Sequence, residues 1–197
     1  METKPELPQG IDGERCSLRP LAARDIDPWA SAFREDPDLG PAWGVEDDPD
    51  EEALRDRVAR AAERARAGAG VELAIVSPDD QLLGTVVLHS LDGRHEHVEV
   101  GFWLIPDARG MGIATEAVGL AVDWAFSALG AHRVEMITLP ALPHIEHVRA
   151  LARRLGFTEE GIMRERNFER GRRHDVLMLA ILRHEWTPLV QPTPLDL

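Results

Sequence analysis

HVEVGFWLIPDARGMGIATEAVGLAVDWAF, residues 97–126, holds in succession a strand, a proline-containing turn, a glycine-rich loop and a helix. Val98, Val100, Phe102 and Leu104 fall on one face of the strand, with Glu99, Gly101, Trp103 and Ile105 on the other, because strand side chains alternate. Both faces are therefore partly covered. From Gly112 to about Leu129, the residues Ile113, Ala117, Leu120, Ala121, Trp124 and Ala128 recur at helical spacing, and Gly130 stops the helix. A glycine-rich loop at the start of a helix exposes main-chain N–H groups and adds the positive end of the helix dipole, which suits a phosphate or diphosphate. Arg109 adds a side-chain charge. The rival reading is a dinucleotide-binding loop, since Gly110-Met111-Gly112 begins like G-x-G-x-x-G and Glu135 stands at a suitable distance. It fits poorly: the third small residue would be Thr115, and Pro106 to Arg109 separate the strand from the first glycine. Taken alone, the Gly-x-Gly would indicate only a tight turn whose glycines allow close packing.

Outward from this stretch the chain reads as one domain. Residues 1–12 form a loose arm, 13–186 the domain, and 187–197 a proline-rich tail. Residues 14–21 alternate like a first strand, and a short helix carrying Trp29 and Phe33 follows until Pro37 and Gly40. A second helix runs from Pro49 to about Ala67 with Leu54, Val58, Ala61, Ala62 and Ala65 on its apolar face. Strands at 71–77 and 81–90 make a hairpin about Pro78-Asp79-Asp80. After the 97–126 stretch come a strand at 133–139, a helix from Pro143 to Gly156, and strands near 158–168 and 174–182. The order is β-α-α-β-β-β-α-β-α-β-β, with no internal repeat.

Composition excludes several classes. At 197 residues, 44% hydrophobic and 29% charged, the chain is long enough for one buried core and is neither fibrous nor disordered throughout. No apolar run approaches a membrane span and the N-terminus lacks a secretory pattern, so a cytoplasmic protein without membrane contact is expected. The single cysteine, Cys16, makes neither an internal disulfide nor a thiolate metal cluster. A net charge of −13 argues against nucleic acid and favours cationic partners. Six acids, Glu46, Asp47, Asp48, Asp50, Glu51 and Glu52, are concentrated in seven positions, a solvated face or helix N-terminus unless a site lies nearby.

Arg109-Gly110-Met111-Gly112-Ile113-Ala114 resembles the R/Q-x-x-G-x-G/A signature of the GNAT (GCN5-related) N-acetyltransferases, in its expected place between a central strand and a long helix. The run EVGFWLIPDARGMGIATEAV, with ALARRLGF and GRRHDVLMLAILRHEW further on, is similar to the ribosomal-protein alanine acetyltransferase (RimJ/RimL-like) branch. The resemblance implies an α/β (α+β) fold: a mixed, mostly antiparallel sheet of about seven strands flanked by about four helices. It also implies acetyl-CoA as co-substrate, with no metal, and direct transfer of acetyl to a primary amine in a ternary complex. Dimers are common in the branch.

In such a protein the pantetheine arm would pair with the central strand at Phe102, Trp103 and Leu104. The diphosphate would rest on the N–H groups of Gly110, Met111, Gly112, Ile113, Ala114 and Thr115, with Arg109 opening the loop. An N–H near Trp103 or Leu104 would hold the oxyanion. A lysine of pKa about 10.4, or an α-amine of about 8, must lose a proton before it attacks. Glu99, on the strand presenting the thioester, is the first candidate base, its alternative being a strand glutamate paired with an arginine; Glu165 is the second candidate.

Two features depart from the pattern. The branch carries N-x-x-S on the helix before Gly156-Phe157, where this chain has Ile145 and Val148, and there is no tyrosine to replace the serine as acid. His144, His147 or a water would have to protonate the CoA thiolate. Its loss slows turnover without abolishing it, because a thiolate of pKa about 8.5 leaves readily. A non-catalytic acyl-CoA-binding protein, or a transferase of a longer acyl group such as succinyl, therefore stays open. The pairs His95-x-His97 and His144/His147 have spacings a metal can use, but no third ligand accompanies either. Trp43 and the acids from Glu46 to Glu52 would wall the acceptor entrance and attract a cationic amine such as a basic protein N-terminus or a polyamine.

Overall fold

The computed structural model describes residues 8–36, 51–92, 96–169 and 171–189. In chain order the elements are β1 (Ile11–Asp12), β2 (Ser17–Pro20), α1 (Ile26–Glu35), α2 (Glu51–Arg66), β3 (Val71–Val76), β4 (Leu82–Asp92) and β5 (His97–Leu104). There follow α3 (Ile113–Ser127), β6 (Arg133–Thr138), α4 (Ile145–Arg154), β7 (Thr158–Glu169) and β8 (Arg172–Leu182). The strands make one sheet in the order β1-β2-β3-β4-β5-β6-β8-β7. Every neighbouring pair is antiparallel except β5 with β6. Both the mixed sheet and its helices match expectation, with eight strands where about seven were read. The additional strand is β1, inside the stretch read as an arm. Gly13 makes it possible: its N–H donates to the Cys16 carbonyl at 3.0 Å, and a Cβ at Gly13 would stand 2.7 Å from that oxygen.

Each face of the sheet has its own apolar layer. α3 and α4 cover one, where Val98, Val100 and Leu104 of β5 meet Val134 and Met136 of β6 and Leu177, Leu179 and Ile181 of β8. α3 is apolar nearly all round, as a helix buried on most sides must be, with Ala117, Val118, Ala121, Val122 and Ala125 fully covered. The chain after β8 closes over it, Asp123 accepting the Trp186 indole N–H at 2.5 Å and the Leu189 N–H at 3.0 Å. On the other face α1 and α2 pack Trp29, Phe33 and Leu54 against Ala74, Val76, Leu82 and Trp103. Arg57 of α2 holds this layer down, donating to both carboxylate oxygens of buried Glu72 at 2.6 and 3.0 Å. No helix among the described residues is long and apolar enough to cross a membrane.

The position of the site follows from one departure from regular pairing. β5 and β6 pair only through His97↔Arg133, Val98↔Val134 and Glu99↔Glu135. β5 continues to Leu104 against β4, and β6 continues to Thr138 against β8. The two strands thus diverge into a wedge beyond Glu99.

Candidate active site

Main-chain direction along β5 decides which groups face the wedge. In an antiparallel ladder, residues alternate between exchanging hydrogen bonds with the partner and pointing away from it. Ile105 donates to the Leu83 carbonyl at 2.9 Å, so in the uniform register with β4 Trp103, Gly101 and Glu99 direct their N–H and C=O groups toward β4. Phe102 and Leu104 point theirs into the wedge. Of the three strand residues expected to meet a pantetheine arm, Phe102 and Leu104 have main-chain groups on that side. Trp103 turns its main chain to β4 and buries its ring against Trp29, centroids 6.1 Å apart, and Phe33, 6.3 Å.

Past the strand, Pro106–Ala108 makes a tight 3₁₀ turn, then Gly110 and Gly112 take left-handed conformations with φ of 76° and 81°. The first intrahelical bond of α3 runs from the Glu116 N–H to the Gly112 carbonyl at 3.1 Å. The N–H groups of Ile113, Ala114 and Thr115 precede it and form the donor-rich helix mouth. In front of the loop the space is open. A Cβ at Gly110 would meet nothing within 4 Å, and one at Gly112 nothing nearer than the Arg15 side chain at 3.9 Å. Met111 is 55% exposed, while Ile113 is buried in the core.

Arg109 stands at the loop entrance but turns back toward the strand. Its Nε and Nη2 donate to the Leu104 carbonyl at 3.0 and 2.8 Å, and Nη2 also pairs with buried Asp36 at the end of α1. The guanidinium thus fastens the end of β5 to α1 and fixes where the loop begins. Sequence reasoning missed Asp36, which lies far from Arg109 in the chain and carries no motif. It also gave no role to Glu116, although the residue falls in the quoted A-T-E-A run. The Glu116 carboxylate accepts the N–H groups of Glu14 and Arg15 and pairs with the Arg15 guanidinium at 3.6 Å, binding the β1–β2 turn to the first turn of α3.

Glu99 lies on the sheet face that α1 and α2 share, beside the opening of the wedge and half-buried. Burial, and then the charge of Glu135, push its carboxyl above the usual range, while Arg166 draws it down. An acid of this kind binds a proton more readily than an exposed glutamate, as a general base requires. Glu165 is placed differently: it is exposed, at φ 53° within an irregular part of β7, its N–H donating to Asp175 Oδ1 at 2.8 Å. On α4, Ile145 and Val148 pack against the core, so neither presents a donor. His144 is the half-buried residue that caps α4, and His147 is exposed. No group of three or more His, Cys, Asp or Glu suited to a metal occurs among the described residues. Trp43, His95 and the acids from Glu46 to Asp50 lie outside the described residues; Glu51 and Glu52 are exposed in the first turn of α2.

A strand edge ending at a helix mouth lined with main-chain donors, with a carboxylate alongside, defines a class of site: one suited to an extended ligand that carries a phosphate or diphosphate. The acetyltransferase (GNAT) domain family model matches residues 15–158, and the chain belongs to that family of acyl-CoA-dependent N-acetyltransferases. Among its relatives, Bacillus subtilis YdaF, provisionally named a ribosomal N-acetyltransferase, is 33% identical over 59% of this chain. The match spans 62% of YdaF, a little under two thirds of that protein. YjcK of the same organism, named a probable N-acetyltransferase, is 31% identical over 87% of this chain and 96% of its own. The Escherichia coli spermidine N(1)-acetyltransferase is 27% identical over 57% of this chain and 59% of its own. The structure of Mycobacterium smegmatis RimJ in complex with CoA-disulfide superposes with a TM-score of 0.82 at 24% identity, covering 93% of this chain and 91% of that one. The name of YdaF agrees with the branch that the loop residues resemble.

Proposed function

We propose that the protein transfers an acetyl group from acetyl-CoA to a primary amine, the coenzyme lying in the wedge between β5 and β6. The observation that carries the reading is the divergence of these strands past Glu99, which leaves the Phe102 and Leu104 main chain facing a gap that ends at the N-terminus of α3. In this reading the pantetheine arm pairs with that edge, and the Leu104 N–H polarises the thioester carbonyl and holds the oxyanion. The diphosphate accepts from the main chain between Gly110 and Thr115. Arg109 acts by fixing the strand end and the loop. The ammonium approaches on the Glu99 side, gives up one proton to Glu99 and attacks the carbonyl carbon as the free amine; the C–S bond breaks, CoA leaves as thiolate, and the second proton shed by the nitrogen as the amide forms passes through water to that thiolate. The acceptor is a protein α-amine first and a polyamine second, in keeping with the relatives' names and the net charge of −13.

The packed, donor-free Ile145 and Val148 favour a second reading, a protein that binds acyl-CoA without turning it over. Calorimetry with CoA, followed by free-thiol release from acetyl-CoA with spermidine and with an alanine-initiated peptide, tests both. Binding with amine-dependent release supports the transferase, and binding without it supports the sensor. No heat at millimolar CoA, together with an unaltered Arg109→Glu variant, overturns both.

A further inference from the structure

Glu99 belongs to a row of side chains crossing three strands. The register sets His89 of β4 directly opposite Glu99 and Glu99 directly opposite Glu135 of β6, so all three project from the same face. Glu135 is held in that row. Arg133, two residues earlier on the same face, donates Nε to Glu135 at 2.6 Å and its two terminal nitrogens to Glu160 of β7 at 2.7 and 2.6 Å. This bridge anchors Glu135 beside Glu99.

An opposite charge comes from β7. Between the pairs Met163↔Val176 and Asn167↔His174, β7 advances four residues while β8 advances two, so Arg164, Glu165 and Arg166 bulge from the ladder. The bulge is fixed by Asp175, which accepts the Glu165 N–H, and by Arg173, which donates to the Glu165 carbonyl at 3.5 Å. Arg166 stands exposed on this bulge, and its charge draws the Glu99 carboxyl down against burial and Glu135.

Resting on the reading of Glu99 as base, we propose that Glu135 is a positioning residue of the reaction: anchored by Arg133, it keeps Glu99 a strong proton acceptor, and Arg166 on the β7 bulge sets the opposing limit. Two carboxylates side by side disfavour each other's charge, and with Glu135 committed to Arg133 the proton goes to Glu99. Two histidines also face this row. His89 is held below the usual imidazole range by burial and by Arg64 and Arg57 of α2, so it is neutral at working pH. His97 lies two residues back on β5, opposite Arg133.

The test follows Glu99 in the free protein by carboxyl 13C NMR, its signal assigned by loss in Glu99→Gln, together with the pH profile of kcat/KM for acetyl-CoA and spermidine. Glu135→Gln moves the Glu99 titration and the acidic limb to lower pH; Arg166→Gln moves both to higher pH; Glu135→Asp restores the wild-type profile. On the acidic flank, rates relative to plateau change about three- to tenfold in opposite directions, with KM for acetyl-CoA unchanged. A loss of packing would not give opposite signs. Should Glu135→Gln leave titration and limb in place while Glu99→Gln is inactive, the role of Glu135 is overturned and the base reading stands. A full rate in Glu99→Gln overturns the base reading, and the role of Glu135 with it. Arg166→Gln, on the exposed bulge, keeps the charge test available should Glu135→Gln fold poorly.

Discussion

Replacing Gly112 by alanine separates a loop that binds from one that merely turns. Gly112 sits at φ 81°, ψ −4°, where an L-residue pays about 1–2 kcal/mol. The stiffer unfolded chain returns about 0.5 kcal/mol, leaving a net loss of about 1 kcal/mol. Nothing in the protein adds to this, because the new Cβ stands 3.9 Å from its nearest neighbour. For a chain of this size the melting temperature should fall by about 2–4 °C. Gly68, at φ 70° with nothing within 4 Å, is the matched control: Gly68→Ala carries the same backbone strain at the end of α2. Calorimetry with CoA then discriminates. In Gly112→Ala the methyl occupies the space assigned to the diphosphate and Kd rises at least about tenfold, or about 1.4 kcal/mol, whereas Gly68→Ala binds as wild type. Equal Kd values in the two variants, with equal loss of stability, would refute the placement of the coenzyme.

Glu99→Gln should raise the melting temperature at pH 8 while lowering turnover. The Glu99 carboxyl lies above its ordinary 4.5 in the folded state, so its stabilising contribution is present below that value and lost as pH rises through the folded one. The advantage of the variant should vanish below pH 4.5, and thermal scans across pH check this. Arg57→Met, which leaves the Glu72 carboxylate at 4% exposure without its guanidinium, should cost about 3 kcal/mol in urea denaturation. Cys16, its thiol pushed up to about 12 by burial and by Glu116, should resist iodoacetamide at pH 8 until the protein unfolds, as mass spectrometry can follow.

What the sequence made legible was local. The glycine loop, the helix behind it and the alternation of β5 rest on residues adjacent in the chain, and they are observed within a residue or two of their expected bounds. The short strand β1 was missed because two residues are too few to show alternation, and it exists through a turn at Gly13. Trp103 could be placed on β5, but whether its N–H faced the wedge depended on the β4 register, which no residue of β5 encodes. The same holds for Glu135: its neighbour Glu99 is set by a three-pair parallel contact between distant strands. Arg109 drew attention through its motif, yet its partner Asp36 comes from a helix end with no recognisable pattern. The β7 bulge adds two residues without a proline or glycine at Arg164, Glu165 or Arg166 to announce it.

The short contact between β5 and β6 has a cost for the empty protein. Among the described residues the edge of β5 beyond Glu99 has no strand partner, and an unpaired edge will template any extended peptide that reaches it, including a strand from another molecule. Coenzyme would then serve as a molecular plug as well as a reagent, and preparations stripped of it should clump on concentration and stay dispersed when it is restored.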